Sequence, residues 1–214
     1  MAKKLDEPQE RGDFFKSLGT LFAGFVANRL DDAVTGLGPK LLRPPGALDE
    51  FEFLTKCTRC DKCMRACPEN AITKAGAGAG FALGTPYLDP RSIPCFLCST
   101  LPCIAECDDE ALVWPRRIRA DGTEVEGPKA VRMGTAKVKP SLCLTWGHED
   151  REAGACRICV DRCPYPEEAL RIETAEGQTI GHPVVDAGVC TGCGLCVFSC
   201  PSEPAAIVVE PRRG

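Results

Sequence analysis

Large apolar side chains are scarce in this chain. Its 214 residues include 9 Phe, 2 Tyr and 2 Trp. So few aromatics build only a thin hydrophobic core, and something else must tie the chain together. No run of about 18 apolar residues exists, so no segment is expected to span a membrane as a helix. A basic excess is missing too: 26 Lys+Arg face 30 Asp+Glu, a formal net charge of -4. Nucleic-acid binders show the opposite footprint. The two histidines, His148 and His182, are too few for a His-based metal site. No nucleophile–base pair or acid–base constellation supports a substrate site, so the chain is not expected to be catalytic alone.

Cysteine is what the chain has in excess, with 16. They fall into four groups of four. The first is Cys57, Cys60, Cys63 and Cys67, spaced C-x2-C-x2-C-x3-C, with Pro68 next. The second is Cys95, Cys98, Cys103 and Cys107, spaced C-x2-C-x4-C-x3-C. The third is Cys143, then Cys156, Cys159 and Cys163, with Pro164 next. The fourth is Cys190, Cys193, Cys196 and Cys200, compact like the first, with Pro201 next. No thiol is left over.

That spacing selects a chemistry. Three thiolates at x2 intervals wrap one loop around a cubane, and the fourth, ahead of Pro, ligates a neighbouring cluster. Thiols packed this closely along the chain cannot join as disulfides without strain. Structural zinc usually draws two separated C-x2-C pairs. The expectation is four [4Fe-4S] clusters held by all 16 cysteines. A repeat follows the thiols. Apolar runs at Ala71-Ile72, Ala111-Val113, Ala169-Ile172 and Ala206-Val209 come after the fourth cysteines, and others lead in at Val138 and Val184-Val185. Each unit reads strand, cluster loop, one short helix, strand. The fold class expected is α+β, with two ferredoxin-like two-cluster modules and little regular secondary structure.

The cysteine pattern resembles bacterial polyferredoxins of the NapG/MauM type. Supporting stretches are Arg43-Pro44-Pro45-Gly46-Ala47, Gly84-Thr85-Pro86-Tyr87, Ile93-Pro94-Cys95, Val131-Arg132-Met133-Gly134 and Cys190-Thr191-Gly192-Cys193-Gly194. The resemblance covers about residues 40 to 210. It implies a four-cluster relay between a membrane quinol-oxidising protein and a terminal redox enzyme. Two departures stand out. Asp108 replaces the Pro after the fourth cysteine of the second group, and Gly12 stands where a twin-arginine export signal would have its second arginine. The expected location is therefore cytoplasmic, with membrane association through a partner, and co-export to the periplasm as the alternative.

Residues 14–34 place Phe15, Leu18, Phe22, Phe25 and Val26 on one helical stripe, so 1–50 reads as an amphipathic docking helix plus linker. The first and fourth cysteine groups share one compact form, while the middle two are irregular. That symmetry, as in related four-cluster subunits of molybdenum enzymes, suggests one module inserted in the other within 51–212. The outer module would comprise 51–80 and 181–212, and the inner one 85–180. One cluster would then take Cys57, Cys60, Cys63 and Cys200, and its mate Cys190, Cys193, Cys196 and Cys67. The inner pair would be Cys95, Cys98, Cys103 with Cys163, and Cys143, Cys156, Cys159 with Cys107.

Smaller features read plainly. Ala75–Gly80 reads as a flexible surface loop, and Arg116, Arg117 and Arg119 as a solvated basic run. Trp146 is expected to pack over a cluster. The function expected is electron relay, as a subunit of an oxidoreductase complex. Its donor or acceptor would be quinol- or flavin-linked, with a molybdenum or tungsten enzyme as catalytic partner. The alternative is a structural or oxygen-sensing iron–sulfur protein.

Overall fold

Strands among the described residues are three to five residues long, and most of the helices there are single turns. A computed structural model describes residues 39–146, 156–174, 177 and 180–212. The docking helix expected over 14–34, and His148, lie outside the described residues. No helix among the described residues is long and apolar enough to cross a membrane.

The first half opens with α1 (Glu50–Lys56), α2 (Lys62–Ala66) and β1 (Ile72–Lys74), followed by β2 (Pro86–Leu88) and α3 (Pro102–Ala105). A hairpin of β3 (Arg116–Ile118) and β4 (Glu124–Glu126) follows. The second half contains β5 (Gly134–Val138), α4 (Ile158–Asp161), β6 (Leu170–Glu173), β7 (His182–Val185), α5 (Leu195–Phe198) and β8 (Ile207–Pro211).

Local chemistry cuts the helices short. Pro102 starts α3, where a missing N–H costs nothing. Cys67, which precedes Pro68, is extended at φ -73°, ψ 112°, and ends α2. The proline ring disfavours helical backbone at the residue before it. The unit expected from the sequence, with a short helix in each cysteine loop and a strand after it, is present in the first, third and fourth groups. After the second group there is only a bridge at Leu112, paired with Ala47.

Strand pairing decides the modules. In the second half β5 pairs antiparallel with β8, and β6 with β7. The outer strands therefore flank groups three and four, and the inner pair lies between them. The first half repeats this plan: β1 pairs with β2 between groups one and two, and Ala47 bridges Leu112 outside them. The two modules are thus consecutive, about 39–112 and 131–212, joined by the β3–β4 hairpin. The inserted arrangement, with outer segments 51–80 and 181–212 around an inner 85–180, is overturned. The physical reason is that β1 with β2, and β6 with β7, are sequence neighbours on short connections and pair with each other, whereas likeness of motif form carries no contact information.

The core is correspondingly divided. Phe53, Leu101, Val131 and Leu112 lie in the larger cluster, with Cys103 and Cys193 among them. Val160, Leu170, Val197 and Ile207 form the second-module cluster with Cys196. The Ala75–Gly80 stretch is not a free loop. It runs into a 3-10 turn over Ala77–Ala82, with Ala75, Ala79 and Ala82 buried against Leu41, Leu54 and Tyr87.

Candidate metal centres

Each cysteine loop needs backbone that turns inward. In the fourth group this is done by Gly192 at φ +74° and Gly194 at φ +85°. The first group places Arg59 (φ +60°) and Asp61 (φ +64°) at the same positions. The left-handed region is costly for an arginine and better tolerated by an aspartate. Arg59 offsets the strain, since its guanidinium donates to the carbonyls of Leu83 at 2.9 Å, Phe81 at 3.3 Å and Cys57 at 3.3 Å.

The loops create four cavities, each lined by four cysteines. Site I gathers Cys57, Cys60, Cys63 and Cys107. Site II gathers Cys67, Cys95, Cys98 and Cys103. Site III gathers Cys163, Cys190, Cys193 and Cys196. Site IV gathers Cys143, Cys156, Cys159 and Cys200. All 16 cysteines are therefore brought together, and none is in a disulfide. Fourth cysteines are exchanged between groups one and two, and between three and four. The nested exchange is wrong at every fourth position: Cys200 is not with Cys57, nor Cys67 with Cys190, Cys163 with Cys95, or Cys107 with Cys143. The electrostatic neighbours agree. Cys107 acts on Cys57, Cys67 on Cys103, Cys193 on Cys163 and Cys200 on Cys159.

Thiols that act on one another link the sites in the order I, II, III, IV: Cys103 acts on Cys63, Cys193 on Cys95 and Cys159 on Cys196. Site II meets site III across the module boundary, where the Cys95 N–H donates to the Cys193 carbonyl at 2.9 Å.

The residues fit an iron–sulfur cluster. Apart from cysteines, the walls of site IV are largely apolar, with Val138, Leu144, Pro183 and Ile207 among them. Burial drives the thiol pKa up to about 12 at Cys63, Cys95 and Cys159, and to about 11 at Cys103 and Cys163. Such thiols stay protonated at neutral pH unless a metal displaces the proton. Among the described residues no three His, Cys, Asp or Glu are placed to hold a single metal ion. One zinc would require bonds of about 2.3 Å to a common centre. Thiols standing around a cavity suit a polynuclear group instead.

Backbone amides complete the sites, and sequence reasoning missed them. The Ala71 N–H points at Cys67 Sγ (3.4 Å), Leu112 N–H at Cys107 Sγ (3.4 Å) and Ala206 N–H at Cys200 Sγ (3.3 Å). Ala136 N–H, on β5, points at Cys190 Sγ at 3.4 Å. These amides stabilise charge on sulfur and raise a cluster's potential. The one available signal was Asn70, a residue tolerant of the left-handed backbone (φ +53°) that turns the next N–H toward sulfur. Trp146 does not line a site; its ring lies 4.2 Å from that of His182.

Paired four-cysteine sites with exchanged fourth thiols make this an iron–sulfur protein of ferredoxin type. Two family descriptions match it: "4Fe-4S binding domain" over residues 53–73 and "4Fe-4S dicluster domain" over residues 153–203. The second spans most of groups three and four together, in keeping with consecutive modules. Over 197 residues the chain is 35% identical to the methylamine utilization ferredoxin-type protein MauM of Methylorubrum extorquens, covering 91% of this chain and 83% of that one. It is 34% identical over 205 residues to the ferredoxin-type protein NapG of Escherichia coli, covering 93% and 83%. With MauM of Paracoccus denitrificans the identity is 32% over 214 residues, covering 98% and 89%. The chain belongs to the NapG/MauM family of ferredoxin-type proteins.

Proposed function

We propose that this protein is an electron-relay subunit carrying four [4Fe-4S] clusters, one in each site, with all 16 cysteines as ligands. The observation that carries the reading is the succession of four cavities, each lined by four cysteines, with sites II and III joined by the Cys95–Cys193 backbone hydrogen bond. When bound, the clusters supply one-electron redox chemistry. The chain's own part is to hold the sulfurs, keep water from them and direct amide N–H groups at them. A single carrier needs one cluster or two. Four in a row serve when the two ends face different proteins. The partners on this reading are a quinol- or flavin-linked protein at one end and a catalytic oxidoreductase, of the molybdenum or tungsten kind, at the other. No substrate chemistry belongs to the chain itself.

The test is reversible reduction. Anaerobically purified protein should take up electrons from a low-potential reductant and return them to a soluble acceptor through several cycles without losing iron. Clusters that bleach irreversibly on the first cycle would support a structural or oxygen-sensing role instead. The reading also keeps the protein in the cytoplasm, supported by Gly12 at the export-signal position. Recovery of the native protein outside the inner membrane on fractionation would refute that placement.

A further inference from the structure

Arg91 belongs to the first module, between β2 and Cys95, yet its side chain is spent on the second. Its guanidinium donates to the carbonyls of Val197 (3.1 Å), Cys200 (3.2 Å) and Ser202 (3.4 Å), and it pairs with the Glu203 carboxylate. Its neighbours press on the same loop. A Cβ on Gly194 would stand 2.4 Å from Pro90, and Cys95 N–H bonds the Cys193 carbonyl at 2.9 Å. The corresponding stretch ahead of the fourth group, Asp186-Ala187-Gly188-Val189, has no arginine. Module one therefore places one cation against the backbone of a site IV thiol, whereas among the described residues the module-two cation that reaches module one, Arg212, pairs with the Asp49 carboxylate and not with a cysteine loop.

We infer that Arg91 is a positioning residue that tunes site IV across the module boundary, raising the potential of its cluster while docking the two modules. This rests on the proposed four-cluster relay. The added electron makes a cluster more negative, so a nearby cation favours the reduced form. The Glu203 carboxylate opposes it, more weakly because its side chain is 82% exposed and solvent screens it. An electron on the site IV cluster is held there by a charge from the other module.

The test is an anaerobic redox titration of the full-length holoprotein followed by electron paramagnetic resonance, with iron and sulfide measured on each sample. In Arg91→Gln, one cluster becomes harder to reduce by about tenfold, or about 59 mV for a one-electron couple. In Arg91→Lys that midpoint is largely restored. In Glu203→Gln the same cluster shifts the other way. A residue that only docked the modules would not give shifts of opposite sign. Unchanged midpoints in fully loaded Arg91→Gln, or shifts of the same sign in Arg91→Gln and Glu203→Gln, would overturn the inference. If Arg91→Gln fails to load, Glu203→Gln decides alone, an unchanged midpoint refuting. Wild-type protein without iron and sulfide would instead refute the relay itself.

Discussion

Three glycine-to-alanine substitutions separate backbone strain from steric contact at site III. Gly192 lies between Cys190 and Cys193 at φ +74°, and a Cβ there would sit 2.4 Å from the Gly134 nitrogen and 2.6 Å from its oxygen. Both contacts are to backbone of β5, which cannot rotate away. The loop is pinned to that strand, since Met133 N–H donates to the Thr191 carbonyl at 2.9 Å. The left-handed backbone costs alanine about 1–2 kcal/mol. Overpacking against rigid backbone adds about 1–3 kcal/mol. Gly192→Ala should therefore cost about 2–5 kcal/mol, and part of it must appear as displacement of Cys190 and Cys193. Gly122 shares the positive φ (+82°) but has nothing within 4 Å, so Gly122→Ala isolates the backbone cost of about 1–2 kcal/mol, away from any thiol. Gly78 has neither feature, and Gly78→Ala should be neutral or slightly stabilising. The assay is iron content after anaerobic purification, followed by the rate of bleaching of visible absorbance on warming. Gly192→Ala should lose iron or bleach fastest, Gly122→Ala should hold its iron, and Gly78→Ala should match the parent. A Gly192→Ala protein with parental iron and bleaching rate would refute the argument from close approach.

Further outcomes follow from the same geometry. Cys107→Ser should perturb the cluster of Cys57, Cys60 and Cys63, and Cys67→Ser that of Cys95, Cys98 and Cys103. Magnetic spectra of each variant combined with Cys60→Ser check this, because Cys107→Ser and Cys60→Ser should damage one and the same cluster. Phe53 is fully buried and lines site I under the Arg43 guanidinium, 4.6 Å from the ring centre, so Phe53→Ala should cost about 3–5 kcal/mol. Chemical denaturation followed by cluster absorbance reads it, and a midpoint equal to the parent's contradicts it. Loading should depend on pH. Burial raises Cys95 and Cys159 from the ordinary 9.0 to about 12, so iron binding must expel their protons, and raising pH from neutrality toward 9 favours loading. The same shift makes the metal-free fold lose stability as pH rises from about 9 to about 12, because ionised thiols prefer the unfolded chain. Reconstitution yield and proton release measured across that range check the sign, and pH-independent loading would contradict it.

Cysteine spacing made three thiols of each cavity legible, because a loop that wraps three sulfurs around one centre admits few spacings and each is visible in a single line of sequence. The strand after the fourth thiol was legible for a similar reason: Ala206–Val209 is an apolar run that borders sites III and IV, and it lies in and beside β8. Pairing was not legible. It depends on which strands meet, and Ala47 with Leu112 or Val138 with Ile207 are contacts between distant positions that no motif marks. The irregular second group misled for a definite reason. Its two extra residues form a turn over Ser99 and Thr100, closed by the Leu101 N–H donating to the Cys98 carbonyl at 3.1 Å, so irregular spacing leaves the module plan intact. The glycine-rich stretch misled because its alanines, not its glycines, decide its place, with Ala75, Ala79 and Ala82 facing inward. Arg91 was silent in the sequence because its partners are backbone carbonyls more than 100 positions away.

The central claim is that four sites each hold one cubane, with no thiol spare. Iron, acid-labile sulfide and zinc measured on one anaerobically purified sample of the whole chain test it most directly. The account predicts about 16 iron and about 16 sulfide per chain and negligible zinc. Stoichiometric zinc without sulfide would contradict it, as would iron near half that value in protein whose spectra show every site filled.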